Sequence, residues 1–278
     1  MLNQLIVEEI IRHALKEDMN YGDVTSDTLI PLEAMAMARM TAKEDGVIAG
    51  LAVAEMAFKT VDSTLSFVAL KKDGDTVKKG DHIAEIKGST RGILKAERLA
   101  LNLIQRMSGI ATLSKAYADE IEGYPTRVVD TRKTTPGLRV LEKYAVKVGG
   151  CHNHRFNLSD AVMIKDNHIK AVGSITKAIE MARQSISHTM KIEVEVESLA
   201  QLQEALEVKA DIIMLDNMDT DTMRDAVKIT GGRAILEASG NITKERLREI
   251  AAIGIDVISV GALTHSIKSL DISLNIIK

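Results

Sequence analysis

Apolar and polar positions follow different patterns in the two parts of the chain. Before Arg127 the patterns are mixed: residues 3–17 repeat apolar side chains at helical spacing, whereas residues 35–49 and 64–87 predict strands interrupted by glycine turns. From Arg127 onward, short apolar runs rich in β-branched residues recur, and helical patterns lie between them. Alternating strands and helices predict a parallel sheet with right-handed crossovers.

The second part is too short for a closed barrel. An eight-stranded α/β barrel usually needs about 250 residues, whereas about 150 are present here, so we expect an open, incomplete α/β barrel. Its predicted strands cover residues 127–130, 161–164, 191–196, 211–215, 234–238 and 256–260. Its predicted helices cover residues 138–148, 173–185, 198–207, 219–230 and 243–253.

The residues that end or follow these strands are sorted by chemical type. Cations follow the first two strands, carboxylates belong to the middle two, and small residues follow the last two. The carboxyl ends of parallel barrel strands meet at one rim, where active sites lie, so we expect these side chains to converge. In chain order they are Thr131, Arg132, Lys133, Lys165, Glu195, Asp216, Ser239, Gly240, Asn241, Val260, Gly261 and Ala262.

The cations between residues 130 and 168 predict a small, strongly anionic ligand. Arginine binds a carboxylate or phosphate through a planar fork, and lysine acts as a point charge. His154 can either donate a hydrogen bond to the anion or lie in the core, and the sequence leaves both open. The candidates for anion binding are Arg132, Lys133, Arg155 and Lys165. Three further cations, spaced along one predicted helix face, are expected to be solvated: Arg139, Lys143 and Lys147.

The carboxylates and the glycine loops suggest two further ligands. Glu195 and Asp216 suit Mg²⁺, which takes one or two carboxylates together with substrate phosphate oxygens. Glu193 and Glu197 share a strand face with Glu195, so the pattern does not choose among the three, and a carboxylate there can equally pair with a rim cation. The loops after the last two strands suit a phosphate bound by backbone N–H groups, although simple turns would also explain their glycines.

The composition excludes several classes of partner. The formal net charge is −3 without long runs of like charge, which argues against nucleic acid. No apolar run approaches the roughly 20 residues of a membrane span, and charged residues interrupt the N-terminal apolar pattern, unlike a signal peptide. Cys151 is the only cysteine, so no intrachain disulfide can form. We expect a cytoplasmic protein that binds small molecules.

Several segments now carry a family resemblance. The stretch DTRKTTPGLRVLEKYAVKVGGCHNHRFNLSDAVMIKDNHI (130–169) strongly resembles the quinolinate phosphoribosyltransferases. Six other segments resemble that family in its order: GDVTS (22–26), LALNLIQRMSGIAT (99–112), IEVEVES (192–198), IIMLDN (212–217), LEASGNI (236–242) and VGALTHS (260–266). The resemblance covers nearly the whole chain.

The resemblance implies a fold and a reaction. The fold would be an N-terminal α/β sandwich-like domain (residues 1–108, joined by the tail 266–278) and an open α/β barrel (residues 109–265). The reaction would join quinolinate to phosphoribosyl pyrophosphate (PRPP) with Mg²⁺, giving nicotinate mononucleotide, pyrophosphate and CO₂ for NAD biosynthesis.

The resemblance also implies roles for particular residues. Arg106 would reach the partner's site in a homodimer or larger oligomer. Of Glu193, Glu195 and Glu197, the family motif points to Glu195 as the site residue. Asn241 stands where some family members have glycine. The quinolinate carboxylates would bind Arg132, His154, Arg155 and Lys165. PRPP and Mg²⁺ would bind Lys133, Glu195 and Asp216, and the 5′-phosphate would bind Ser239, Gly240, Asn241 and Gly261. Thr131, Val260 and Ala262 would also line the substrate site, and the catalytic residues would be Lys133, Lys165, Glu195 and Asp216.

Two alternatives remain open. A relative with the same fold could use another acceptor, such as nicotinate, although a monocarboxylate would not need so many cations. A non-catalytic anion-binding barrel is the more distant alternative, and it leaves Glu195 and Asp216 without a purpose, since carboxylates near a bound anion are unfavourable without a metal.

Overall fold

A computed structural model describes residues 2–277 and divides the chain into two compact units. Unit 1 contains the residues up to Lys115, the segment 134–150 and the residues from Leu263 onward. Unit 2 contains residues 116–133 and 151–262. The fold class expected from the sequence is confirmed, because one unit holds an antiparallel sheet with helices and the other an open parallel sheet.

The helices and strands are numbered in chain order. The helices are α1 (Gln4–Asp18), α2 (Val24–Leu29), α3 (Leu51–Val61), α4 (Thr90–Glu120), α5 (Arg139–Val148), α6 (Asp166–Val172), α7 (Ile175–Ser185), α8 (Leu199–Glu207), α9 (Thr220–Thr230), α10 (Leu247–Ala252) and α11 (Ala262–His265). The strands are β1 (Met35–Ala42), β2 (Gly46–Val47), β3 (Ser66–Ala69), β4 (Thr76–Val77), β5 (His82–Ser89), β6 (Arg127–Val129), β7 (Val162–Ile164), β8 (Ile192–Val196), β9 (Ile212–Asp216), β10 (Ile235–Ser239), β11 (Val257–Ser259) and β12 (Ile272–Ile276).

Unit 1 is built on an antiparallel sheet with the strand order β12-β1-β5-β3. Asp73 links its elements: its carboxylate accepts hydrogen bonds from the N–H groups of Gly50 and Leu51 at the start of α3. The same carboxylate accepts the hydroxyl hydrogen of Tyr144 on α5, at 2.8 Å. This bond joins α5 to the start of α3 within unit 1. The domain boundaries expected from the sequence stay a prediction.

Unit 2 is an open parallel sheet with the strand order β6-β11-β10-β9-β8-β7. β6 and β7 lie at opposite edges, which explains why the barrel is open. Along β10, the buried Leu236 and Ala238 alternate with Glu237 and Ser239, so polar side chains share one face of the sheet. A parallel bridge between Val129 and His152 continues the sheet beyond β6.

Three local predictions need correction. No helix was predicted between residues 164 and 173, but α6 lies there and is followed by Gly173 in a left-handed conformation with φ of 110°. The helix expected over 243–253 is a 3₁₀ turn, Lys244–Arg246, followed by the short α10. Lys143 was expected to be solvated, but its side chain is fully buried, because α5 packs within unit 1 on more than one face.

No helix within residues 2–277 combines the length and the apolar character that crossing a bilayer requires. The cytoplasmic location stays a prediction.

Candidate active site

All the predicted site residues except Arg106 belong to unit 2, at or beyond the carboxyl ends of its strands. The strands are parallel, so their carboxyl ends face the same way. The sorted residue types therefore lie at one edge of the sheet, and their joint action in one site stays a prediction.

The loop after β6 is anchored by a buried acid that the sequence reading overlooked. Asp130 is completely buried, and it accepts hydrogen bonds from Asn153 Nδ2 at 2.5 Å and from the backbone N–H of His154 at 2.9 Å. Together with the bridge at His152, these bonds hold residues 152–154 against the end of β6. The signal was present in the sequence as an acid that directly follows an apolar strand.

The arginines of this region share one electrostatic environment. Arg155 Nη1 donates to the carbonyl of Ala161 at 3.0 Å, next to the start of β7. Burial lowers the pKa of Arg155, and the like charge of Arg132 lowers it further. A bound anion stabilises like-charged guanidinium groups of one region, which fits a ligand with several negative charges.

Lys165 and Glu195 form a close ion pair at the rim. Lys165 Nζ lies 2.6 Å from Glu195 Oε2, and the side chains are 46% and 11% exposed, respectively. Of the three glutamates on this strand face, Glu193 is buried and Glu197 is exposed, so exposure rises towards the rim. Glu195 occupies the intermediate position, where a carboxylate remains accessible to a ligand.

The loops after β9 and β10 are joined by Asn217. Its Nδ2 donates to Asp216 Oδ2 at 2.7 Å, and its Oδ1 accepts from Asn241 Nδ2 at 3.1 Å. Asn217, Gly240 and Asn241 all have positive φ, at 54°, 86° and 49°, a conformation that asparagine and glycine tolerate best. Asp216 pairs in register with Ser239, so a carboxylate and the glycine loop lie side by side.

A second polar cluster lies deeper, around His154. Its Nε2 is 3.2 Å from Glu193 Oε2 and 3.4 Å from Glu237 Oε2, and both glutamates are only 2% exposed. Among residues 2–277, no hydrogen-bond donor reaches Oε1 of either glutamate. The sequence reading did not select Glu237, although its signal was a charged residue within the apolar run of β10.

The protonation of His154 is set by opposing influences. Burial lowers the pKa of His154, but hydrogen bonds to Glu193 and Glu237 and their negative charges outweigh burial and raise it, which favours a proton on the Nε2 that faces them. On the other side of the ring, Nδ1 accepts the backbone N–H of Arg155 at 2.8 Å. An amide N–H can only donate, so this contact excludes a proton on Nδ1. The ring proton therefore lies on Nε2, which faces the two glutamates.

Arg106 lies on α4 in unit 1. Its guanidinium donates to the buried Glu142, with Nη2–Oε1 at 2.7 Å, and to Thr135 Oγ1, also at 2.7 Å. Both partners belong to its own chain and its own unit. The role predicted for Arg106 in a partner's site stays a prediction.

The remaining predicted residues frame the ends of β6 and β11. Thr131 Oγ1 accepts the N–H of Lys133 at 3.1 Å, and the Lys133 side chain is exposed. Val260 donates its N–H to the carbonyl of Val129 at 2.9 Å, which brings Gly261 and Ala262 to the rim.

Comparison with known proteins identifies the family. The sequence profile described as "Quinolinate phosphoribosyl transferase, C-terminal domain" matches residues 110–275, and the corresponding N-terminal domain profile matches residues 23–108. A Bacillus subtilis protein named probable nicotinate-nucleotide pyrophosphorylase [carboxylating] is 46% identical over 99% of this chain and 95% of its own length. A Nicotiana glauca protein named quinolinate phosphoribosyltransferase [decarboxylating] 2, mitochondrial, is 44% identical over 97% of this chain and 82% of its own.

A solved structure supports the same assignment. The crystal structure of NadC from Streptococcus pyogenes superposes with a TM-score of 0.95 at 44% identity, covering 100% of this chain and 99% of that one. Because both family profiles and these relatives span nearly the whole sequence, the chain belongs to the quinolinate phosphoribosyltransferase family.

Proposed function

We propose that the rim of unit 2 transfers the phosphoribosyl group of PRPP to quinolinate and releases one quinolinate carboxylate as CO₂. The observation that carries the proposal is the placement of three cations, Arg132, Arg155 and Lys165, in the segments that follow β6, flank β7 and form the rim of unit 2. Quinolinate has two adjacent carboxylates on a pyridine ring, and such a dianion requires several cations close together. The names of the family and of its relatives indicate the same reaction.

In this proposal the quinolinate carboxylates bind Arg132, Arg155 and Lys165. Arginine forks can each take two oxygens of one carboxylate, and Lys165 adds a point charge. His154 precedes Arg155 in the chain, and its Nδ1 accepts the backbone N–H of Arg155.

PRPP would bind on the carboxylate and glycine side of the rim. Lys133 would bind its pyrophosphate, and Glu195 and Asp216 would hold Mg²⁺, which suits their hard oxygen donors. Bound Mg²⁺ would neutralise negative charge on the leaving pyrophosphate. Because Lys165 neutralises Glu195, quinolinate binding to Lys165 frees that carboxylate for the metal or the ribose. The 5′-phosphate would bind Ser239, Gly240, Asn241 and Gly261. Thr131, Val260 and Ala262 would line the substrate site.

The reaction then needs little covalent participation from the protein. The quinolinate ring nitrogen bonds to ribose carbon 1, and the bond from that carbon to pyrophosphate breaks. A neighbouring carboxylate stabilises the positive charge that develops on the ribose. The ring nitrogen is now cationic and withdraws electrons, so the bond from ring carbon 2 to its carboxylate can break. CO₂ leaves, and carbon 2 takes up a proton. The side chains mainly orient the substrates and exclude water.

The direct test is incubation with PRPP, Mg²⁺ and quinolinate labelled in the 2-carboxylate. Labelled CO₂ and nicotinate mononucleotide should appear in equal amounts, and removing Mg²⁺ with a chelator should stop both. Nicotinate in place of quinolinate should give no product. Turnover of nicotinate alone would favour the rival acceptor, and PRPP binding without turnover of either would favour a binding protein.

We also propose that the working unit is at least a dimer in which Arg106 serves the partner's site. Arg106 lies in unit 1, whereas the other candidate residues lie in unit 2. Large apolar side chains of unit 1 are exposed between Leu5 and Met35, including Tyr21 at 97%, which favours a protein interface there.

Mixing two inactive variants tests this arrangement. In a two-fold dimer of Arg106→Ala with Lys165→Ala chains, one site carries both defects and the other carries neither. Activity should therefore return on mixing, up to about half that of the wild-type dimer before dilution by homodimers. Free subunit exchange without recovered activity would show that Arg106 serves its own chain.

A further inference from the structure

The segment that carries Arg155 is fastened through the ring of His154. The backbone N–H of Arg155 donates to His154 Nδ1 at 2.8 Å, and the backbone N–H of His154 donates to Asp130 at 2.9 Å. With Nδ1 accepting, the ring proton is on Nε2 and points at carboxylate oxygens. Both ring nitrogens are thus engaged within the protein.

The acceptors for that proton come from two strands. Glu193 lies on β8 and Glu237 on β10, with β9 between them, and each contributes its Oε2 to His154 Nε2. Two acceptors on separate strands fix both the tilt and the position of the ring. Burying two like-charged glutamates around one imidazole is costly, and the unpartnered Oε1 atoms add to that cost. This arrangement is therefore not expected if its only role is to stabilise the fold.

We propose that Glu237, together with Glu193, is a positioning residue for the acceptor substrate. The two carboxylates hold the ring of His154, and Nδ1 of the ring holds the backbone of Arg155, so that its guanidinium meets a substrate carboxylate. The inference rests on the proposed function, in which Arg155 binds quinolinate. It assigns His154 an indirect part, because the ring acts through Arg155.

The same three side chains also resemble a metal-ligand set, since one ligand atom from each lies within 4.8 Å of the others. A histidine that binds a metal through Nε2 carries its proton on Nδ1 and usually donates it to an acceptor. Here Nδ1 faces a donor, the N–H of Arg155. The geometry therefore favours positioning over metal binding.

Two substitutions at one position separate these alternatives. Glu237→Gln keeps the length of the side chain and an oxygen that can accept from Nε2–H, whereas Glu237→Leu removes the acceptor. We expect Glu237→Leu to raise the KM for quinolinate about tenfold and to change the KM for PRPP by less than about twofold. Glu237→Gln should restore the quinolinate KM to within about threefold of wild type. The exposed Glu180, changed to Leu, provides the control and should alter neither KM.

A double substitution tests whether Glu237 acts through His154. His154→Phe keeps an aromatic ring and removes both nitrogens, so adding Glu237→Leu to it should raise the quinolinate KM no further. Additive effects would overturn the proposal, as would equal increases in the KM for both substrates. A Glu237→Gln variant as impaired as Glu237→Leu would point to a need for charge and would equally overturn it.

A spectroscopic readout on the free wild-type protein is independent of turnover. Long-range ¹H–¹⁵N correlation spectra should show His154 with Nε2 protonated and Nδ1 unprotonated, identified by its absence in His154→Phe. Zn²⁺ that shifts these signals and binds with one-to-one stoichiometry would overturn the proposal in favour of a metal site. Wild-type protein that shows this tautomer but does not convert quinolinate would refute the proposed function, and the role assigned to Glu237 would be overturned with it.

Discussion

Replacing Gly240 by alanine should damage the loop between β10 and α10 far more than an ordinary glycine substitution would. Gly240 has φ of 86°, and a Cβ atom added there would lie 2.6 Å from Asn217 Cγ and 3.0 Å from the backbone nitrogen of Asn217. The Asn217 side chain would have to move, which breaks its hydrogen bonds to Asp216 and Asn241. Gly232 provides a matched control, because it has φ of 76° and nothing lies within 4 Å of its added Cβ.

The difference between the two variants isolates the clash. An alanine in the left-handed region costs about 1–2 kcal/mol, and the less flexible unfolded chain offsets about 0.4–1 kcal/mol of it. Both contributions are common to Gly232→Ala and Gly240→Ala. The overpacking at Asn217 adds about 1–3 kcal/mol to the second variant alone. At about 2–4 °C per kcal/mol for a chain of this size, Gly240→Ala should melt about 2–12 °C below Gly232→Ala.

Thermal unfolding monitored by circular dichroism, combined with steady-state kinetics, measures both consequences. Because Asn217 orients Asp216 and the glycine loop, Gly240→Ala should raise the KM for PRPP at least about tenfold and affect the quinolinate KM much less. Gly232→Ala should leave both KM values near wild type. If the two variants melt at the same temperature and use PRPP equally well, close packing at Gly240 has no role in the site.

Three further predictions address the cations, the metal and the cysteine. Arg155→Lys should weaken quinolinate binding by about 2–4 kcal/mol, because one ammonium replaces a planar fork, whereas Arg224→Lys on the exposed surface should have no effect. A dissociation constant for quinolinate within twofold of wild type, measured by calorimetry, would remove Arg155 from the site. Asp216→Asn should impair PRPP use more than quinolinate binding and should weaken the dependence of activity on Mg²⁺. An equal loss of affinity for both substrates, measured by titration, would indicate a folding defect. Burial raises the pKa of Cys151 to about 12, so at pH 8 roughly one thiol in 10⁴ is ionised. The folded protein should therefore resist alkylation by iodoacetamide until it is unfolded. Rapid alkylation of the folded protein, detected by mass spectrometry, would contradict this.

The local pattern of apolar and polar residues predicted the helices, the strands and the residues at the rim, because each of these depends on residues that are close in sequence. The apolar runs that became β6 to β11 were each bounded by polar or small residues, so the ends of the strands could be read directly. Glu195 and Asp216 were recognisable as carboxylates at those ends, and Gly240 as a residue suited to a turn. None of these inferences required knowledge of which strands are neighbours, only that the strands are parallel.

Partners distant in sequence could not be read in this way. Glu237 looked like one acid within a strand until the fold brought it to His154, on a loop before β7. Lys143 had the spacing of a solvated helix face, and only the packing of α5 within unit 1 decides that it is buried. The burial of a charge depends on which surfaces cover it, and those surfaces come from other parts of the chain.

By itself, the sequence determined the alternation of strands and helices, the open parallel barrel, the chemical types at its rim and, through long motifs, the family. The tertiary structure decided how those groups are supported: Asp130 under the His154 segment, Asn217 between two loops, and two glutamates around one imidazole. The physical reason is that periodicity and turn chemistry act over a few residues. The environment of a buried polar group is instead set by strands and loops that meet only when the chain folds.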